Sequence, residues 1–144
     1  MSRFMGVRLM AVFSDTDIFV VLWNADDELR ARSKELMKPA LKSEFGRVYT
    51  SDYGIDEAIT TALVRTRRHN LAVDVGKHIT ESPRITKLLV EKDSFEKSME
   101  KIQTFMDKPL SFTDCTSLAL MEKSRITQIA SFDSGFDGLA QRIY

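Results

Sequence analysis

LSFTDCTSLALMEKSRITQIASFD, residues 110–133, decides the fold. Ser111 or Thr113 opens a helix that takes in Asp114 and runs to about residue 123. The apolar run over 126–131 is the next strand, and Asp133 follows it. A helix that feeds a buried strand, with an acid just past the strand, is part of an alternating α/β chain.

The same plan recurs upstream. The apolar run over 9–13 ends at Ser14-Asp15, as a buried parallel strand does. Thr16 or Asp17 is the expected cap of a short helix to residue 23. Asn24-Ala25-Asp26-Asp27 reads as a turn and a new cap. A helix is then expected over 28–45, with Leu29, Leu36, Met37, Ala40 and Leu41 as its apolar stripe and a kink or break at Pro39. Gly46 is expected to end that helix before a short strand at 48–50. Ser51 caps the next helix, which carries Ile55, Ala58, Ile59, Ala62 and Leu63 on one side. Arg65, Arg67, Arg68 and His69 crowd its end, where cations suit the helix dipole. Further along come a helix over 70–78, a strand over 85–90, a helix capped by Asp93 or Ser94, a break at Lys108-Pro109 and a last strand at 143–144. This alternation predicts a three-layer α/β/α fold with a mostly parallel sheet, in one domain over residues 1–144.

The composition excludes several classes. With 43% hydrophobic and 29% charged residues, the chain reads as globular rather than disordered. Its 21 basic residues balance its 21 acidic ones, so a nucleic-acid surface has to be a local patch. Cys115 is the only cysteine, which removes an intrachain disulfide and zinc-finger spacing and fits a reducing cytoplasm. The longest apolar run, 18–23, is too short to span a bilayer, and no membrane partner is expected. Ser14-Asp15 interrupts the apolar N-terminal stretch before a signal-peptide core forms, so that stretch reads as the first strand.

Asp15, Glu57, Asp114 and Asp133 stand where strands hand over to helices. Each has a local role available. Asp15 suits a turn or cap, Asp133 an Asx-turn, and Glu57 a helix surface. Asp114 lies in a first helical turn, where an anion gains about 0.3–1 kcal/mol. As a set they have another reading. The carboxyl ends of parallel strands line one crevice, where ligands bind. Acids gathered there repel one another unless a cation lies between them. Oxygen-only donors point to a hard divalent ion, Mg²⁺ or Mn²⁺.

These residues resemble the motifs of PIN-domain nucleases, the fold of the toxin halves of prokaryotic VapBC toxin–antitoxin pairs. VFSDTDIFVVLWNADDELRARSKEL is similar to the family's first motif, with Asp15 as its acid and Asp17 where Asn or Ser is more usual. TSDYGIDEAIT matches the second, with Glu57. The 110–133 stretch resembles the Ser-x-x-Asp helix start, strand and final Asp, giving Asp114 and Asp133, with Ser131 two before the latter and Phe136 as the trailing aromatic. The resemblance implies a PIN-like fold and metal-dependent cleavage of RNA. It makes Asp15, Glu57, Asp114 and Asp133 the catalytic and metal-binding residues, with Mg²⁺ or Mn²⁺ as cofactor. It also implies an antitoxin partner and a homodimer. Ile18, Phe19, Leu22 and Trp23, too dense for one helix face, are then the candidate partner surface.

Other features divide between roles. Arg65, Arg67 and Arg68 either grip RNA phosphates or form a solvated helix end. Asp137 is a loop acid or a further site acid. His69 and His78 lack the partners of a zinc site, and Cys115 reads as a small buried residue. Two rivals remain. A haloacid-dehalogenase-like phosphatase would use Asp15 and Asp17, with Lys108 or Lys123, but leaves Glu57 and Asp114 without a task. A PIN-fold binding module without turnover would keep the acids and not bind metal.

Overall fold

Adjacent residues of the first strand bury on opposite sides of a sheet: Val12 joins one apolar cluster and Phe13 another. Side chains alternate across a strand, so a strand apolar on both sides needs a covering layer on each. The computed structural model describes residues 10–42 and 46–144. Its strands are β1 (Met10–Ser14), β2 (Gly46–Ser51), β3 (Ile85–Leu88), β4 (Gln128–Ala130) and β5 (Gln141–Ile143). They form one sheet in the order β3-β2-β1-β4-β5, parallel throughout. The helices are α1 (Thr16–Leu22), α2 (Arg30–Lys42), α3 (Asp52–Thr66), α4 (His69–Glu81), α5 (Lys92–Thr104) and α6 (Phe112–Ser124).

Residues of α1 to α4, among them Phe19, Met37, Ala62 and Val75, cover one face of the sheet with Val12 and Val48. Leu118, Leu120 and Met121 of α6 cover the other with Phe13 and Ile129, and α5 packs on α6. The result is the expected three-layer α/β/α fold. The chain runs outward from β1 through β2 to β3, then returns to the far side of β1 for β4 and β5. The carboxyl ends of β1 and β4 therefore flank the point where strand order reverses, the usual ligand crevice of an open α/β sheet.

Several boundaries differ from expectation, each for a local reason. Asp15, not Thr16 or Asp17, caps α1. Gly46 begins β2 rather than ending a helix, since it pairs with Met10. α5 starts after Glu91 with no side-chain cap, so Asp93 and Ser94 lie inside it. β3 and β4 are shorter than the expected strands, spanning Ile85–Leu88 and Gln128–Ala130. α2 runs through Pro39 to Lys42. Pro39 and Glu35, whose carbonyl loses its helical donor, are both exposed, so water can satisfy it. Leu29 precedes α2 and is exposed. Leu9 and residues 43–45 lie outside the described residues.

Three of the four residues of the candidate partner surface on α1 are closed to a partner. Ile18, Phe19 and Leu22 are buried. Trp23 is half-buried and stacks between Phe19 and His78, at ring-centroid distances of 5.8 and 5.0 Å. The run is apolar all round because α1 lies beneath α2, α3 and α4. No helix among the described residues is long and apolar enough to cross a membrane.

Candidate functional site

Ser14 ends β1, and the next residue turns the chain into a helix. Asp15 does this as an N-cap: its Oδ1 accepts from the Thr16 N–H at 2.8 Å. Its Oδ2 accepts from the buried Ser131 hydroxyl at 2.6 Å. The Ser131 oxygen in turn accepts from the Asp133 N–H at 2.9 Å. The Asp15 N–H donates to the Ala130 carbonyl at 2.9 Å. One residue thus ends β1, starts α1 and ties both to the end of β4.

Asp17 follows in α1. Its Oδ2 accepts from the Phe132 N–H at 3.1 Å, and its buried Oδ1 has no hydrogen-bond partner among the described residues. Glu57 comes from α3, which Ser51 caps by accepting from the Gly54 N–H at 2.9 Å. Glu57 Oε2 accepts from the Thr16 hydroxyl at 3.0 Å. Asp114 forms a capping box with Ser111. The Asp114 N–H donates to Ser111 Oγ at 3.0 Å, and the Ser111 N–H donates to Asp114 Oδ2 at 2.9 Å. Asp133 accepts from the Gly135 N–H at 2.8 Å and caps the short 3-10 helix Ser134–Phe136. The local roles weighed for Asp15, Asp114 and Asp133 are therefore real, and they are also what places these carboxylates.

Asp15, Asp17, Glu57, Asp114 and Asp133 all line one cavity of about 440 Å³. Thr16, Thr61 and Ser111 add hydroxyls to its wall, and Arg65 is its cationic member. Burial, joined by the charges of Asp17 and Asp114, holds the Asp15 carboxyl well above the usual carboxylate range against its hydrogen bond from Ser131. Burial lifts Asp17 to about 6, with Asp133 adding to the shift and the Phe132 N–H and Arg65 opposing it. Asp114 is also lifted to about 6, by burial first and then by the charges of Glu57 and Asp133. The acids repel one another across a single cleft. Among the described residues, no three His, Cys, Asp or Glu side chains are already arranged as an ion cage. The donor chemistry nonetheless suits a hard cation: every ligand candidate is a carboxylate, and one buried carboxylate oxygen is unpartnered.

The sequence profile of the PIN domain matches residues 12–141. The chain belongs to the PIN-domain family. Among solved structures it is similar to VapC20 of Mycobacterium tuberculosis, a sarcin-ricin loop cleaving toxin. The two are 30% identical over 87% of this chain and 92% of that one, with a TM-score of 0.76. It shares its fold with FitAcB from Neisseria gonorrhoeae at 13% identity, over 92% of this chain and 96% of that one, with a TM-score of 0.63. No curated protein sequence matches the chain.

In this PIN domain neither lysine named for the phosphatase rival reaches the cavity's acids. Lys123 pairs with Asp93 and Glu91 at 3.0 and 3.8 Å, and Lys108 donates to the Asp137 carbonyl at 3.3 Å. Neither lines the acid cavity. Asp137 is also elsewhere, held by the Arg142 guanidinium at 2.7 Å, which keeps its carboxyl below the usual range. Burial pushes the Cys115 thiol up, which suits an inert packed residue. Arg65 separates from its neighbours: Arg67 is the left-handed C-cap of α3 and Arg68 precedes α4. Asp17, a departure from the PIN motif and the second acid of the phosphatase rival, joins the cavity as a fifth carboxylate. Its signal was the Asp-x-Asp spacing across a helix cap, which puts both carboxylates at one strand end.

Proposed function

We propose that this PIN-domain protein is a Mg²⁺- or Mn²⁺-dependent endoribonuclease that cleaves RNA phosphodiester bonds, and that it is the toxin of a toxin–antitoxin pair. The observation that carries this reading is the lining of one cavity by five carboxylates at the end of β1 and β4, with Arg65 as the countercharge in its wall. Asp15, Glu57, Asp114 and Asp133 would hold the ion, and Asp17 adds a fifth acid. A bound divalent cation lowers the pKa of water and offsets charge on phosphoryl oxygens.

The chain's own residues orient the acids. Ser131 holds Asp15, Ser111 holds Asp114 and Thr16 holds Glu57. Such hydrogen bonds to prospective ligands set their direction before an ion arrives. Arg65 is placed to take an RNA phosphate, where most protein–nucleic-acid contacts are made. The likeness to VapC20, a sarcin-ricin loop cleaving toxin, supports the toxin role; an antitoxin protein and a second copy of the chain are the partners that role implies.

The test is incubation with labelled RNA in Mn²⁺, Mg²⁺ or EDTA, beside Asp114→Asn. Cleavage is expected with either metal, none in EDTA, and a loss of at least about 100-fold in the variant. Cleavage that persists in EDTA or in Asp114→Asn contradicts the reading, and its absence from every arm favours a binding module.

A further inference from the structure

Tyr53, Glu57, Thr61 and Arg65 recur one turn apart along α3. The last three line the acid cavity. Tyr53 carries the row past it and meets Phe112, with ring centroids 6.4 Å apart and planes tilted by 47°. Phe112 meets Phe95 of α5 at 5.2 Å and 58°. Phe112 opens α6 directly after Ser111, a cavity residue, and two before Asp114. The aromatic trio thus adjoins the acid cleft, through Tyr53 one turn before Glu57 and Phe112 next to Ser111. It is not sealed. Tyr53 and Phe112 are half-buried, Phe95 is 41% exposed, and Leu89 is 64% exposed. The Val90 N–H, donating to the Asp52 carboxylate at 3.0 Å, brings the Leu89 loop against the start of α3.

We propose that Tyr53, Phe112 and Phe95 form a stacking subsite for a base of the RNA whose phosphate lies in the acid cleft. This rests on the ribonuclease reading above. The chain has no net charge and its cleft is acidic, so ionic attraction to the RNA backbone is confined to local groups such as Arg65. Affinity then needs a contact indifferent to charge. Base–aromatic stacking is one, and it tolerates sequence because every base has a π face. One helical turn, about 6 Å of rise, separates Tyr53 from Glu57. A base on the ring and its own phosphate in the cleft are compatible with that spacing.

The probe is a single-stranded RNA of mixed sequence carrying a fluorescent purine analogue whose emission falls on stacking. It is titrated with the full chain in Mn²⁺, with cleavage of bulk RNA read in parallel. Wild type should bind with quenching. Tyr53→Leu and Phe95→Leu should bind about 5- to 100-fold more weakly with the quench lost, while Tyr53→Phe keeps both. Thermal midpoints confirm that each variant folds, and should one not, the wild-type quench decides alone. Wild-type binding without quenching, or no binding at all, overturns the subsite. So do folded Leu variants that bind and quench as wild type does, which would leave the patch as a protein-docking face. Wild type that binds with quenching but does not cut supports the subsite and refutes the nuclease reading. Wild type that cuts, alongside unaffected Leu variants, does the reverse.

Discussion

Asp15 does two jobs with one carboxylate. Oδ1 caps α1 and Oδ2 takes the Ser131 hydroxyl. Ser131 therefore controls the direction of an acid it never replaces. Removing its hydroxyl also leaves the Asp133 N–H short of its partner. Ser131→Ala should lower metal-dependent RNA cleavage by about 10- to 100-fold, the usual effect of losing a group that orients a ligand. It should also cost stability, about 1–3 kcal/mol, through the unpaired buried groups. Ser131→Thr, which keeps the hydroxyl, should recover most of both. Steady-state cleavage rates and urea unfolding read the two effects. At this scale four of the cavity's acids were legible, because Asp15 and Asp133 stand just after strands and Glu57 and Asp114 lie near the starts of helices. Asp17 was not. Its place depends on the Phe132 N–H, 115 residues away in sequence, and no periodicity reports a contact of that separation.

α3 brings Glu57 to the cleft, and how closely it seats on β2 depends on a residue without a side chain. A Cβ at Gly54 would lie 2.9 Å from Thr50 Oγ1 and 3.3 Å from Ser51 Oγ. Thr50 is buried, so it has little room to yield. Gly54→Ala gains about 1 kcal/mol in helix propensity against an overpacking cost of about 1–3 kcal/mol. Net destabilisation is expected in urea unfolding. A stabilised variant would mean that α3 can lift from β2 at no cost. The order of elements could be read from periodicity and caps, since the helical stripes and the apolar strands differ in period. Their ends could not. Asp15 was legible as a turn or cap and Ser111 as a helix start, but which of several Ser, Thr and Asp residues makes the cap depends on the backbone that leads into it. Gly46 shows the same ambiguity: a glycine after a helical stripe signals a stop, and here it is already paired in β2.

For the molecule as a whole, the functional fact is where the strand order reverses. Strands alternating with helices predict a parallel sheet, but that pattern is the same whether β4 joins beside β3 or beside β1. The observed order, β3-β2-β1-β4-β5, is what puts Asp15 next to Asp133. It also places α3 and α6, from opposite layers, over the same crevice, so Glu57 and Asp114 come to it from either side. The acids thereby carry a mutual repulsion that burial sharpens. A cation bound only by the folded protein should relieve it and stabilise the fold by mass action, by about 2.7 kcal/mol at 100 times its Kd. The most direct test is a calorimetric titration of Mn²⁺ into the metal-stripped protein near neutral pH, beside Asp114→Asn, with thermal midpoints taken at each end. The account predicts binding heat and a raised midpoint in the wild type, both removed by EDTA and both lost or much weakened in the variant. A wild type that binds no Mn²⁺, or an Asp114→Asn variant that binds it as tightly, would contradict it.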